Sequence, residues 1–281
     1  MHTPTGLYIR NDVLYISDAA DNPQVYSMAT SATVKSSYIP SMTQNVAPQS
    51  VYIDQLGNVY VPDSLTACVI KFDSTLTVAG SIVAVGNINA PGADLSSLDG
   101  PNHLTFDSAE TYMYIADTNN NRIIRFPSTA VSGNNGTVVA GATSGDLNLP
   151  YGVYYDSSAD YLYIANAQAN TILKWKPFAS SGTVIAGVSG IAGSSSTLLF
   201  LPSSVYFDSQ SGLLYVNDAG NARIMVYCQS SQTGTMIAGT GKTGNSATEL
   251  NFPYEIAFDS SSNLYVLDGE NSRIQKFSKL S

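Results

Sequence analysis

The sequence predicts an all-β fold: a six-bladed β-propeller of four-stranded antiparallel sheets. Three observations carry this. A proline-led segment recurs six times, at spacings of 44, 53, 49, 52 and 51 residues. Each copy is followed by further short blocks rich in Val, Ile, Tyr and Phe. Charged residues make up only 12 % of the 281 residues against 44 % hydrophobic, which argues against a disordered chain, a coiled coil or a long-helix protein.

The first block reads PTGLYI, PQSVYI, PNHLTFD, PYGVYYD, PSSVYFD and PYEIAFD, from Pro4, Pro48, Pro101, Pro150, Pro202 and Pro253. The second reads LYISD, VYVPD, MYIAD, LYIAN, LYVND and LYVLD. The third is CVIKF, RIIRF, TILKW, RIMVY or RIQKF, degraded in the first repeat to PQVYSM. The fourth is GTVVAG, GTVIAG or GTMIAG, with looser versions at Thr33–Ile39 and Leu76–Gly86. Each block is bounded by Asp, Ser, Asn or Gly, so each reads as a strand. Apolar and aromatic residues are consecutive rather than alternating, so both strand faces must be covered, as they are when sheets stack radially. A linear solenoid would need polar capping repeats, and neither end of the sequence has one. Residues 1–281 are expected to form one propeller domain with repeats starting near 4, 48, 101, 150, 202 and 253. The sixth repeat stops at RIQKFSKLS, so its blade is expected to have three strands, with the seam closed by apolar packing alone unless Lys279–Ser281 pair at the edge.

Composition removes several functions. Lys and Arg number 12 against 21 Asp and Glu, a net charge of −9, which disfavours a nucleic-acid partner. His2 and His103 are too few for a multi-histidine metal centre, and Cys68 and Cys228 are expected to stay unbridged. There is no signal peptide or membrane-length apolar run, which leaves the compartment open, including excision from a larger extracellular protein.

The combination P-x-G-V-x-x-D, L-Y-V-A-D and N-x-R-I resembles the NHL repeat, most fully at Pro101–Phe126 and Pro202–Tyr227. The resemblance spans essentially the whole chain. It implies the propeller fold and leaves function open, since NHL propellers serve as protein-binding platforms, RNA binders, receptor sensors and, in the amidating lyase, a zinc enzyme.

An Asp stands five residues before Arg in three repeats: Asp117–Arg122, Asp218–Arg223 and Asp268–Arg273. An active site occurs once, whereas these pairs repeat, so they are expected to be scaffold salt bridges. The informative positions are those that differ between blades. One past each proline lie Thr5, Gln49, Asn102, Tyr151, Ser203 and Tyr254; two past lie Gly6, Ser50, His103, Gly152, Ser204 and Glu255. These are expected to ring the channel mouth, and Ser50, Asn102, His103, Tyr151, Ser204, Tyr254 and Glu255 are the candidate ligand-binding residues. His103 and Glu255 fall in opposite blades, with His103 read as a solvated channel residue. Phe200 and Phe252 are expected to wedge between blades.

The expected function is a non-catalytic binding or scaffold module, monomeric or part of a larger protein. It would take a protein or other macromolecular partner on its upper face, whose long loops are rich in Gly, Ser, Thr and Asn. No catalytic residue, metal or cofactor is assigned. The alternative is a calcium-type lactonase or esterase, or a lyase, with its site at the channel mouth.

Overall fold

A computed structural model of the protein describes residues 3–20, 23–32, 36–39, 42, 46–74, 81–141, 145–228 and 231–279. His2, Leu280 and Ser281, and parts of the expected strands at Thr33–Ile39 and Leu76–Gly86, lie outside them. No helix among the described residues is long and apolar enough to cross a membrane.

Six antiparallel sheets follow one another along the chain. The first holds β1 (Pro4–Arg10), β2 (Val13–Asp18), β3 (Gln24–Ala29) and β4 (Ser36–Ile39). The second holds β5 (Tyr52–Ile53), β6 (Val59–Asp63), β7 (Cys68–Phe72) and β8 (Ser81–Gly86). In the third are β9 (Pro101–Phe106), β10 (Tyr112–Asp117), β11 (Arg122–Pro127) and β12 (Thr137–Gly141). The fourth comprises β13 (Pro150–Asp156), β14 (Tyr161–Asn166), β15 (Thr171–Trp175) and β16 (Thr183–Gly187). The fifth comprises β17 (Ser204–Asp208), β18 (Leu213–Asp218), β19 (Arg223–Cys228) and β20 (Thr235–Gly239). The sixth has three strands, β21 (Pro253–Phe258), β22 (Leu264–Asp268) and β23 (Arg273–Phe277). Each sheet meets the next near the axis, β6 rather than the short β5 touching β9, and β21 returns to β1, so the sheets close into a ring. The second repeat departs from the expected pattern: its inner strand is only two residues long, and Pro48 makes an isolated bridge to Asp63.

The weak alternation of the sequence has a physical reason here. Each apolar cluster lies between two consecutive blades rather than inside one. Leu104, Met113 and Phe126 of the third repeat, with Leu98 from the loop before it, pack with Tyr60, Val69 and Val85 of the second. Val205, Phe207 and Leu214 of the fifth pack with Tyr163 and Ile172 of the fourth. Both faces of most sheets are therefore core.

At the seam, Leu7, Leu14 and Ile16 meet Tyr265 and Leu267. The expectation that apolar packing alone holds this junction is corrected by four polar contacts across it. Ser260 donates from its backbone N and its Oγ to the Asp12 carboxylate, at 2.9 and 2.7 Å. The Tyr265 hydroxyl donates to the Thr30 carbonyl at 3.3 Å, and Leu7 N donates to Glu255 Oε2 at 3.1 Å. Their partners lie at opposite ends of the chain, beyond the reach of any local pattern. Among the described residues β23 is the outer strand of the sixth sheet, and its Arg273 side chain is 31 % exposed, against 5 % for Arg122 and 8 % for Arg223.

Candidate functional site at the channel mouth

The start of the inner strand decides which side chains face the mouth. In the first, fourth and sixth blades the register skips the residue after the proline: Pro4 pairs with Asp18 and Gly6 with Ser17, leaving Thr5 out of the ladder. Tyr151 and Tyr254 are left out in the same way, and the third blade skips Asn102. These are β-bulges, which turn a side chain away from the sheet. The bulged residues line a cavity of about 270 Å³ at the mouth, together with Gln49, Ser50, His103, Ser203 and Glu255.

Most of the polar groups here join one blade to the next. The Thr5 hydroxyl donates to the Pro48 carbonyl at 2.7 Å, Thr118 to Pro150 at 2.7 Å, and Ser203 to Pro253 at 3.1 Å. Asn217 Nδ2 adds a second bond to the Pro253 carbonyl at 2.9 Å, and the Ser17 hydroxyl donates to the Gln49 carbonyl. Ser50 is buried, and its hydroxyl accepts from Leu104 N at 3.3 Å. Asn102 Nδ2 donates to Thr118 Oγ1 at 2.9 Å. Close approach of the strands needs small residues: a Cβ on Gly152 would lie 2.6 Å from the Ser203 carbonyl oxygen.

His103 and Glu255 meet across the channel, with His103 Nε2 2.5 Å from Glu255 Oε1. The reading of His103 as a solvated residue is therefore corrected: its side chain is 20 % exposed, and that of Glu255 8 %. Two strand starts in opposite blades each carry a long side chain where the other four carry Gly or Ser, so only this pair can span the opening. His103 Nδ1 is buried and has no hydrogen-bond partner. The pair also lines a second cavity of about 360 Å³ below, and Ser204 faces that lower cavity rather than the mouth.

Two aromatic residues stand at the rim. Tyr151 is 41 % exposed. Tyr254 lies against Gly269 and donates to Glu270 Oε1 at 2.8 Å; burial, then Glu270, push its phenol up to about 12. Phe200 is 39 % exposed and its ring sits against Gly220, so it is not a full wedge between blades. Phe252 is half-buried edge-to-face with Tyr254, at 5.9 Å between centroids.

The Asp and Arg residues form clamps under the loops. Arg122 Nε donates to Asp117 Oδ2 at 2.6 Å, Arg223 to Asp218 at 2.7 Å and Arg273 to Asp268 at 2.7 Å. The rest of each guanidinium reaches the preceding long loop: Arg122 donates to the carbonyls of Ala93, Asp94 and Ser97 at 2.7–2.9 Å. The free oxygen of Asp117 accepts from Asp99 N at 2.7 Å. An Asn three residues after each Asp completes the set, Asn120, Asn221 and Asn271 each donating to the carboxylate at 2.9 Å. The sequence reading missed these loop contacts, although the signal D-x-x-N-x-R is present in all three repeats. Burial raises the Asp117 and Asp218 carboxyls above the ordinary value, against the hydrogen bonds and the guanidinium that lower them.

Among the described residues, no group of three or more His, Cys, Asp or Glu converges as a metal site would require. No known protein family matches the chain, and no curated protein does. Solved structures do. The chain is similar to a nidogen/laminin complex, at 16 % identity over 83 % of this chain and 79 % of that one, TM-score 0.65. An auxiliary nutrient binding protein from Bacteroides thetaiotaomicron is 13 % identical over 98 % of this chain and 69 % of that one, TM-score 0.73. Virginiamycin B lyase from Staphylococcus aureus is 14 % identical over 100 % and 85 %, TM-score 0.60. At these identities the likeness establishes a shared β-propeller fold, found in binding proteins and in a lyase.

Proposed function

We propose that the chain is an NHL-type propeller, one domain over residues 1–281, that acts as a non-catalytic binding module. The mouth and its long loops take a protein or other macromolecular partner. One observation carries this: the bulged Tyr151 projects 41 % exposed from a ring whose polar groups are largely bonded between blades. A rigid aromatic side chain loses little conformational freedom on binding, and an immobile frame keeps the ordering cost low. The Arg clamps hold three of the loops in place beforehand. Those loops are poor in charge, which suits a polar, largely uncharged partner surface. The two binding-protein neighbours are consistent with this use of the fold, with a protein partner in one and a nutrient in the other.

A photo-crosslinking residue at Tyr151 tests the proposal. It should capture a discrete macromolecule from native extract, and Phe200→Ala should reduce the yield. The same crosslinker at Ser157, on the opposite face, should not capture it. Equal capture at both positions would remove the upper face from the function.

The His103–Glu255 pair favours a second reading. A carboxylate-oriented imidazole is the arrangement used by a general base. Turnover in a lactone and ester screen with divalent metals, lost in His103→Gln, would favour an enzyme over the binding module.

A further inference from the structure

Below the His103–Glu255 pair, the channel changes shape in a way the columns of the repeat explain. Four residues past each proline lie Tyr8, Tyr52, Thr105, Tyr154, Tyr206 and Ala257. The third and sixth blades, which carry the large residues His103 and Glu255 two places earlier, carry the small ones here. The other four blades do the reverse, with Gly or Ser above and Tyr below. All six residues line the lower cavity of about 360 Å³. Tyr8 and Tyr52 are in ring contact at 4.7 Å, and Tyr154 and Tyr206 at 5.1 Å. The first pair belongs to blades one and two and the second to blades four and five, on opposite sides of the axis. The cavity is thus a slot with tyrosines along both long walls, Thr105 and Ala257 at its ends, and the imidazole–carboxylate pair across its roof.

The chemistry of the lining narrows the occupant. Its acidic groups are Glu255 and Asp107, and it contains no Lys or Arg. Aromatic faces beside carboxylates attract cations. His103 Nε2 lies 2.5 Å from Glu255 Oε1, so the wall shared by the two cavities carries a carboxylate beside an imidazole. A carboxylate among aromatic rings suits a cationic group that also donates hydrogen bonds, as an ammonium does. The volume falls in the lower part of the range for small-molecule pockets, roughly 300–1,000 Å³.

We propose that this lower slot is a binding site for a small primary ammonium compound carrying a flat ring, separate from the partner surface on the upper face. The ring lies between the tyrosine walls and the ammonium is held near the imidazole–carboxylate roof.

Calorimetry or ligand-observed NMR on the whole chain tests this with three probes: tyramine, its uncharged counterpart 4-ethylphenol, and methyl glucoside. Tyramine should bind about tenfold or more tightly than 4-ethylphenol, the difference a single desolvated cation–π contact supplies. Ala257→Phe, which fills one end of the slot, should abolish tyramine binding, and Tyr206→Leu should weaken it. If either variant loses its cooperative melt, the comparison of the two phenols on the parent protein decides alone. Equal affinity for the two phenols, tighter binding of the glucoside, no tyramine binding, or tyramine binding unaffected by a folded Ala257→Phe variant would each overturn the proposal.

Discussion

Nε of Arg223 lies 2.7 Å from Oδ2 of Asp218, and the side chains are 8 % and 0 % exposed. The Arg273–Asp268 pair has the same 2.7 Å length, but its arginine is 31 % exposed. The geometry is conserved while the desolvation is not, and that difference sets the energies. Arg223→Ala should cost about 3–5 kcal/mol, because it leaves a buried carboxylate uncompensated. Arg273→Ala should cost about 1 kcal/mol, since water replaces part of the contact. Denaturant unfolding measures both, and equal losses would contradict the burial argument. Burial already raises the Asp218 carboxyl. Removing the guanidinium raises it further, so the deficit of Arg223→Ala should be smallest in acid and grow as pH rises from the folded carboxyl value of the parent to the higher one of the variant.

The seam should respond to pH in the opposite sense. Asp12 is held below its ordinary value of 3.8, first by the Ser260 hydroxyl and then by the Ser260 backbone. A depressed carboxyl contributes stability that is complete above its unfolded value and is lost as pH falls through the folded one. Hydrogen exchange should show Ser260 N losing protection below pH 3.8 while β14 in the fourth blade keeps its own. In Asp12→Asn this window should vanish. Uniform protection around the ring at acid pH would show that Asp12 does not hold the seam.

The two thiols should separate cleanly. Cys228 is exposed, whereas Cys68 is buried and its thiol is pushed up to about 11, chiefly by burial. Maleimide labelling followed by mass spectrometry should find Cys228 modified in the native protein and Cys68 only after denaturation. Labelling of native Cys68 would mean that the second blade opens readily.

Gly152→Ala should destabilise the junction of the fourth and fifth blades by about 1–3 kcal/mol, because the added carbon meets backbone rather than a movable side chain. A thermal melt reads this, and an unchanged midpoint would mean that the strands can move apart.

The repeat made the ring legible because it is a local signal: each proline-led block folds into its strand by short-range chemistry. Contacts between distant residues were not. His103 and Glu255 lie 152 residues apart, and their meeting depends on the width of the channel. Neither residue's immediate neighbours signal it. The Asp–Arg pairs were visible in the spacing. The guanidinium's other bonds are to main-chain carbonyls some 25–29 residues upstream, which leave no residue-type signature. The lower slot lay in the columns all along, as an exchange of large and small residues between two positions of the repeat.

The arginine clamps have a consequence for how this molecule can vary. Arg122 and Arg223 each bind loop carbonyls 29, 28 and 25 residues upstream, so two loops of different sequence are gripped at the same three points. Because the grip is on the main chain, exposed side chains between the anchors, such as Leu95, are free to change. Such loops are exchangeable cassettes. One of equal length could be transplanted from the fifth blade to the third so long as the buried leucine after the last anchor, Leu98 or Leu199, is kept. Specificity and stability can then evolve on separate residues.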